Sequence, residues 1–312
     1  MQFSIGIDIG GTNSMMGIVD KKGHILYEEG ITTQAFPQIE NFVDEIYALL
    51  HPQILQYGLD TCKGIGIGAP NGNYFTGNIE FAPNLIWKGI IPLAQLFQSK
   101  FQLPTWVTND ANAAAIGEKL YGAAKGMNDF IMVTLGTGVG SGFVANGKLI
   151  YGHDGFGGEL GHTIAIRNGR RCGCGRNGCL ETYTSATGIV RTAKEILENR
   201  QPPSLLHKVD PITAKDIFEA AKQKDAIALK IFDFTGNILG QSLADAVAIT
   251  SPEAIILFGG LAQAGSYLFE PTQKYMEQNL LQIYKNKIKL LPSELKESDV
   301  AILGAAALVW ES

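Results

Sequence analysis

The sequence predicts an α/β protein in two related domains with a cleft between them, and three observations carry that prediction. A strand-turn-strand-turn-strand unit opens the chain at residues 3–28. A second unit starts at residue 129 and matches it in order and spacing when Gly10 is laid against Gly136. Helical patterns and short buried-strand runs follow each unit. Finally, the 37 glycines among the 312 residues cluster beside short apolar runs, as phosphate-cradling turns would, and do not form a linker.

Each element has its own signal. Phe3–Ile9 is apolar and β-branched, Gly10-Gly11-Thr12-Asn13 breaks it, and Ser14–Val19 resumes the strand pattern. Asp20-Lys21-Lys22-Gly23 turns the chain again into a strand from His24 to Glu28. Apolar residues at Ile39, Phe42, Val43, Ile46, Leu49 and Leu50 line one face of a helix over Pro37–Tyr57. Lys63–Gly68 reads as a buried strand, Ile91–Phe101 as a helix and Thr105–Thr108 as the next strand. Asn109–Tyr121 opens with Asn/Asp and is rich in alanine, as a helix start should be. In the second half, strands are expected at Asp129–Leu135, Ser141–Ala145 and Lys148–Tyr151, with Asn146-Gly147 as the hairpin turn. Helices follow at Thr187–Asn199, Thr213–Lys222 and Ala226–Ile249, then a strand at Ala254–Phe258 and a final Gly/Ala-rich helix from near Gly304.

Bulk properties exclude several classes. With 46% hydrophobic and 18% charged residues, the chain has ample core for a soluble globular protein. A net charge of −5 offers no basic field for nucleic acid or anionic lipid, and no apolar run approaches a membrane span. The start, Met1 to Asp8, lacks a basic region and a cleavage site, so no signal peptide is expected. Thiols suited to a reducing compartment make cytoplasm the expected location.

Three of the four cysteines stand together in Cys172-Gly173-Cys174 and Cys179, ten residues after His162. A Cys₃His set fills the four positions of a tetrahedral Zn²⁺, and glycines at 173, 175 and 178 allow the tight backbone this requires. A filled tetrahedron leaves no place for a catalytic water, so the expected ion is structural. The alternative is a disulfide with a spare thiol, which the closeness of Cys172 and Cys174 disfavours.

Asp8-Ile9-Gly10-Gly11-Thr12 puts a carboxylate at a strand end, followed by a turn whose N–H groups converge on an anion; Asp8 suits Mg²⁺ held through water. Gly136-Thr137-Gly138 is a second such turn, although a plain hairpin explains either. No dinucleotide fingerprint is expected, because Ser141 stands where a glycine is needed and a β-pattern follows. Two glycine turns facing one cleft fit a nucleoside triphosphate. Asp110, at a helix start directly after a strand, suits a base accepting a hydroxyl proton, with a plain N-cap as the alternative. Glu159, His162 and Glu181 suit the adjacent hydroxyls of a pyranose, although solvated loop charges would look the same. Gly259-Gly260 allows an adenosine close to the backbone, or simply turns the strand into a helix.

Together these motifs resemble the ROK family within the actin-like ATPase superfamily, nearly end to end, and the run Cys172-x-Cys174-Gly175-x-x-Gly178-Cys179-x-Glu181 is its most specific mark. The resemblance, nearest to the family's bacterial glucokinases, implies two actin-like (ribonuclease H-like) domains. These are expected at 1–120, completed by the helix 301–312, and at 121–300 with the zinc loop. It implies γ-phosphoryl transfer from ATP, with Mg²⁺, to the 6-hydroxyl of a hexose, with domain closure expelling water. Asp110 would be the base, and Asn84, Asn109, Asp110, Glu159, His162 and Glu181 would bind the sugar. Asp8, Gly10, Gly11, Thr12, Gly136, Thr137, Gly138, Gly259 and Gly260 would hold the nucleotide, and His162, Cys172, Cys174 and Cys179 the structural Zn²⁺. Glucose is the expected sugar, ahead of N-acetylmannosamine, N-acetylglucosamine, mannose and fructose. A homodimer or higher even oligomer is implied. The family's sugar-sensing repressors carry a DNA-binding domain ahead of the first loop, for which residues before Asp8 leave no room. Asn13 and Asn71 depart from the family pattern, which commonly has Lys or Arg and Gly there, and bear on sugar preference.

Overall fold

The computed structural model describes residues 1–198, 203–296 and 298–311. Five strands form the first sheet: β1 (Phe3–Ile9), β2 (Asn13–Asp20), β3 (Ile25–Thr32), β4 (Cys62–Gly68) and, after the short hairpin of β5 (Ile79–Glu80) and β6 (Ile90–Ile91), β7 (Thr105–Thr108). Their order is β3-β2-β1-β4-β7, with β2 antiparallel to β1 and β3, and with β4 parallel to β1 and β7. Helices α1 (Ile39–Tyr57), α2 (Leu93–Phe101) and α3 (Asp110–Tyr121) are interleaved with these strands.

The second sheet repeats the plan. Strands β8 (Phe130–Leu135), β9 (Val139–Ala145), β10 (Lys148–Leu149), β11 (Ala254–Phe258) and β12 (Lys289–Pro292) lie in the order β10-β9-β8-β11-β12, with β11 parallel to both neighbours. Helices α4 (Glu181–Thr184), α5 (Ala186–Leu197), α6 (Ala214–Lys222), α7 (Ala226–Thr250), α8 (Ser266–Asn279) and α9 (Val300–Glu311) follow, and short 3₁₀ turns lie between elements. The expected ends of two helices, at Asn199 and Ser312, lie outside the described residues. Among the described residues, no helix is long and apolar enough to cross a membrane.

The short elements β5, β6 and α4 escape the sequence reading, and so do two longer ones. Helix α8 carries Pro271 inside it, and β12 is a four-residue edge strand ending on Pro292. Proline costs a helix an N–H donor and is confined to sheet edges, so both segments look broken from sequence. Helix α9 also begins a turn before Gly304.

The chain divides into two compact units, one of Met1–Met127, Gly142–Gly158 and Ser293–Ser312, the other of Asn128–Ser141 and Glu159–Pro292. The division differs from the expected 1–120 and 121–300 chiefly at 142–158. There Gly142 lies against α3, where a β-carbon would meet Ala115 Cβ at 2.7 Å. Tyr151 stacks on Tyr74 at 4.2 Å, and the Asn73 amide donates to the Asp154 carbonyl at 2.7 Å.

In the first unit, side chains of β1 alternate between two faces. Phe3, Ile5, Ile7 and Ile9 join Phe42, Ile46 and Phe97 in the core beneath α1 and α2. Ser4, Gly6 and Asp8 take the other face, where α9 lies. Ser4 Oγ donates to the Ala306 carbonyl at 3.1 Å. A β-carbon on Gly6 would strike Ile302 O, and one on Gly66 would strike Ala305 O. Gly304 in turn sits against α3, where its β-carbon would meet Ala113 O at 2.5 Å. Glycines on sheet and helix thus bring α9 to backbone contact with β1, β4 and α3. Adding one methyl there forces the helix away, so Gly66→Ala should lower unfolding stability by about 1–3 kcal/mol in a denaturant titration, the range for overpacking a tight core.

Candidate active site

In the first unit the predicted residues gather at the ends of β1 and β7. Asp8 is half-buried at the end of β1, and Asp110 is the first residue of α3, directly after β7. Both lie against Gly68, where a β-carbon would meet Asp8 Oδ1 at 3.6 Å and Asp110 Cα at 3.7 Å. Removal from water, then the negative charge of Asp110, push the Asp8 carboxyl up to about 7. The surrounding protein also raises the Asp110 pKa, against the Ala111 N–H that donates to Oδ1 at 2.8 Å, although Asp110 still meets solvent. Two carboxyls crowded in this way suit a divalent cation, which would relieve both.

Asn109 and Asp110 divide two jobs. Asn109 is the N-cap of α3, its Oδ1 accepting the Asn112 N–H at 2.7 Å. Asp110 is therefore not the cap. The turn after β1 closes through the Gly10 N–H, which donates to the Asn13 carbonyl at 3.0 Å, and Thr12 beyond it is exposed. Gly11 faces Asn84, whose carbonyl would lie 2.5 Å from a β-carbon there. Lys88 holds the Asn84 turn by donating from Nζ to the carbonyls of Pro83 (3.1 Å) and Leu85 (2.6 Å).

In the second unit Gly136, Thr137 and Gly138 form the turn after β8, and the Gly136 N–H donates to the Gly138 carbonyl at 3.1 Å. Gly259, at φ 102°, brings the loop after β11 against Leu135, so Gly259-Gly260 adjoins the Gly136 turn. Glu159 precedes the single 3₁₀ turn Leu160–His162, which its carbonyl starts by accepting the His162 N–H.

The ligand atoms of His162, Cys172, Cys174 and Cys179 all lie within 4.8 Å of one another. Cys172 Sγ is 3.7 Å from His162 Nδ1, and Cys174 Sγ is 3.6 Å from Cys179 Sγ. Bonds of about 2.1–2.3 Å set the ligands of a tetrahedral zinc about 3.5–3.8 Å apart, so the donor set and its spacing both fit the ion. Burial raises the Cys172 and Cys179 thiols, whereas Cys174, despite its own desolvation, is drawn down to about 6, chiefly by hydrogen bonds from Arg176.

Glu181 has a position that spacing does not reveal. Its Oε1 accepts from Cys172 Sγ at 2.9 Å and lies 3.7 Å from His162 Nδ1. Its Oε2 would lie 2.8 Å from a β-carbon on Gly138. One carboxylate therefore spans the thiol cluster and the second glycine turn. Arg170 is a further residue that sequence reasoning missed. Its guanidinium donates to the Thr182 carbonyl at 2.8 Å, to Thr192 Oγ1 at 2.9 Å and to Glu195 at 2.5 and 2.9 Å, tying the cysteine loop to α4 and α5. Nothing in an arginine beside a glycine announces such a clamp.

Residues 4–312 match the model of the ROK family. The glucokinase of Thermotoga maritima is 34% identical over 313 residues, spanning 98% of this chain and 97% of that protein. The glucokinase of Halalkalibacterium halodurans is 37% identical over 280 residues, 88% of this chain and 84% of its own. A xylose repressor of Bacillus spizizenii is 32% identical over 316 residues, covering 99% of this chain and 77% of the repressor. Among solved structures, a ROK family glucokinase from Streptomyces griseus in complex with glucose and AMPPNP matches with a TM-score of 0.81 at 35% identity, over 99% of this chain and 100% of that one. The two similar sheets are thus those of the actin-like two-domain fold.

The raised Asp8 pKa has a measurable sign. Below about pH 4 both folded and unfolded chains keep this proton; above that the unfolded chain loses it first, so folding stability falls as pH rises towards 7. In magnesium-free buffer, Asp8→Asn should melt alongside the unaltered protein at pH 4 and above it at pH 8. Equal melting at pH 8 would show that Asp8 ionises freely.

Proposed function

The chain belongs to the ROK family, and we propose that it is an ATP-dependent hexose kinase transferring the γ-phosphoryl group to the 6-hydroxyl of glucose, with Asp110 as general base. The observation that carries the base is the division of labour at the start of α3. Asn109 satisfies the helix N–H, so the Asp110 carboxyl gives one oxygen to Ala111 and remains accessible to solvent. The helix N-terminus favours its ionised form while burial opposes it. The balance raises the carboxyl above its ordinary value, the direction that strengthens a base. Phosphoryl transfer asks for alignment, charge neutralisation and modest help with the hydroxyl proton.

Sugar hydroxyls would be held by Asn84, Asn109 and Asp110 of the first unit, and by Glu159, His162 and Glu181 of the second. Asn109 spends its oxygen on the cap and so offers its NH₂ group. His162 turns Nδ1 to the thiols and so offers Nε2. Asp8, Gly10, Gly11 and Thr12, with Gly136, Thr137, Gly138, Gly259 and Gly260, would cradle the nucleotide through backbone N–H groups that glycine leaves uncovered. Asp8 would hold Mg²⁺ through water, and the ion would supply charge neutralisation for phosphoryl transfer. His162, Cys172, Cys174 and Cys179 would hold zinc with no open coordination position, and the ion would brace His162 and, through it, Glu181. The similar glucokinases, one of them in complex with glucose and AMPPNP, support ATP as donor and glucose as acceptor.

Coupled ADP release should show glucose with the highest kcat/KM among glucose, mannose, fructose, N-acetylglucosamine and N-acetylmannosamine. Another winner replaces the substrate, and silence across the panel from folded, zinc-replete protein removes the kinase reading. Asp110→Asn, whose amide can still hydrogen-bond a sugar hydroxyl, should keep sugar affinity and melt no lower than the unaltered protein, while kcat falls by about 10²–10⁴, the usual contribution of a positioned base. Elemental analysis should find about one zinc per chain, as a closed four-ligand site requires. Cys174→Ser should lower zinc content, melting temperature and sugar affinity together.

A further inference from the structure

Asn71 and Phe81, both in the first unit, hold left-handed backbone, at φ 53° each, and they are tied to one another. Asn71 donates from Nδ2 to the carbonyls of Glu80 at 2.9 Å and Phe81 at 3.4 Å. Its own carbonyl accepts the Glu80 N–H at 3.1 Å, and the Phe81 N–H donates to the Gly89 carbonyl at 2.8 Å. Asparagine tolerates this conformation, but for a bulky side chain it is an outlier that the surroundings must impose. Burial does not compensate Phe81, which is 69% exposed. The side chains of Ala82, Leu85 and Trp87 just beyond it are buried. The left-handed turn at Phe81 therefore redirects the chain from the edge of β5 into the segment 82–87, which sets Asn84 against Gly11.

The other end of the bridge is anchored as firmly. The Ala69 N–H donates to the Thr108 carbonyl at 2.9 Å, and the Gly72 N–H to the Ala69 carbonyl at 3.0 Å. A β-carbon on Gly72 would strike the same Thr108 carbonyl, so this turn hangs on the end of β7, two residues before Asp110.

We propose that Asn71 is a positioning residue for sugar binding, its side-chain amide fixing the loop that presents Asn84 relative to the strand end that presents Asp110. The inference rests on the sugar site proposed above. It predicts a defect larger for the sugar than for the nucleotide, because the amide holds the segment before Asn84 directly and reaches the first glycine turn only through the contact of Asn84 with Gly11.

Two variants isolate the amide. Asn71→Gly keeps the left-handed backbone without strain and deletes the donor. Asn71→Asp keeps the size and the backbone tolerance but faces the two carbonyls with acceptor oxygens. With glucose and Mg-ATP, both should raise the sugar KM about tenfold, the size of a typical net hydrogen-bond contribution, with a smaller rise in the ATP KM. Hydrogen exchange should quicken at the amides of 82–87 and stay unchanged in β1 and β4. An unchanged sugar KM, or equal rises in both KM values, would overturn the proposal. Should the unaltered protein phosphorylate no sugar of the panel, the kinase reading fails by itself. The positioning claim is then decided by exchange, with unaltered rates at 82–87 in both variants defeating it.

Discussion

The backbone contact between α9 and the first sheet is the constraint on which much of the first unit depends. Gly6 and Gly66 remove the side chains that would stand between strand and helix, and Gly304 does the same between α9 and α3. Helix α3 is thereby seated by the last helix of the chain, and α3 carries Asp110 at its first position. A carboxylate useful as a base must sit within hydrogen-bond reach of its proton. Its placement derives from close-packed backbone, which has little room to yield.

The second unit solves a similar problem by other means. Residues 159–181 include little regular structure beyond one 3₁₀ turn and the start of α4, so packing alone cannot fix them. Four convergent donor atoms, the Arg170 clamp and the Glu181 carboxylate against Gly138 supply the missing constraints. Metal coordination can rigidify a loop too short to build a core of its own. The price is that its stiffness depends on thiols remaining reduced.

Much of this architecture is legible in the sequence, for identifiable reasons. The repeated strand-turn units at 3–28 and 129–151 announce two sheets of one topology, because period-two patterns and glycine turns are local signals. The Asn/Asp start of α3 is local too. Whether Asn109 or Asp110 acts as the cap is not, since both residue types serve. Pro271 and Pro292 hide α8 and β12, because proline argues against the states these segments adopt. The membership of 142–158 in the first unit goes with contacts of Gly142 with Ala115, Tyr151 with Tyr74 and Asp154 with Asn73, none of which leaves a trace in the local pattern. The two roles of Glu181 and the bridge from Asn71 to Phe81 likewise exist only once distant segments meet.

Ser4 and Ala306, joined by one hydrogen bond, stand 302 positions apart. Synthesis runs from the N-terminus at roughly 5–20 residues per second, so the first sheet leaves the ribosome roughly ten to forty seconds before its cover exists. Through that interval the glycine face of β1 and β4 is bare backbone flanked by apolar side chains, a surface prone to wrong partners. The glycines that permit the final contact thus leave on the first sheet a face that closes only when the last helix arrives.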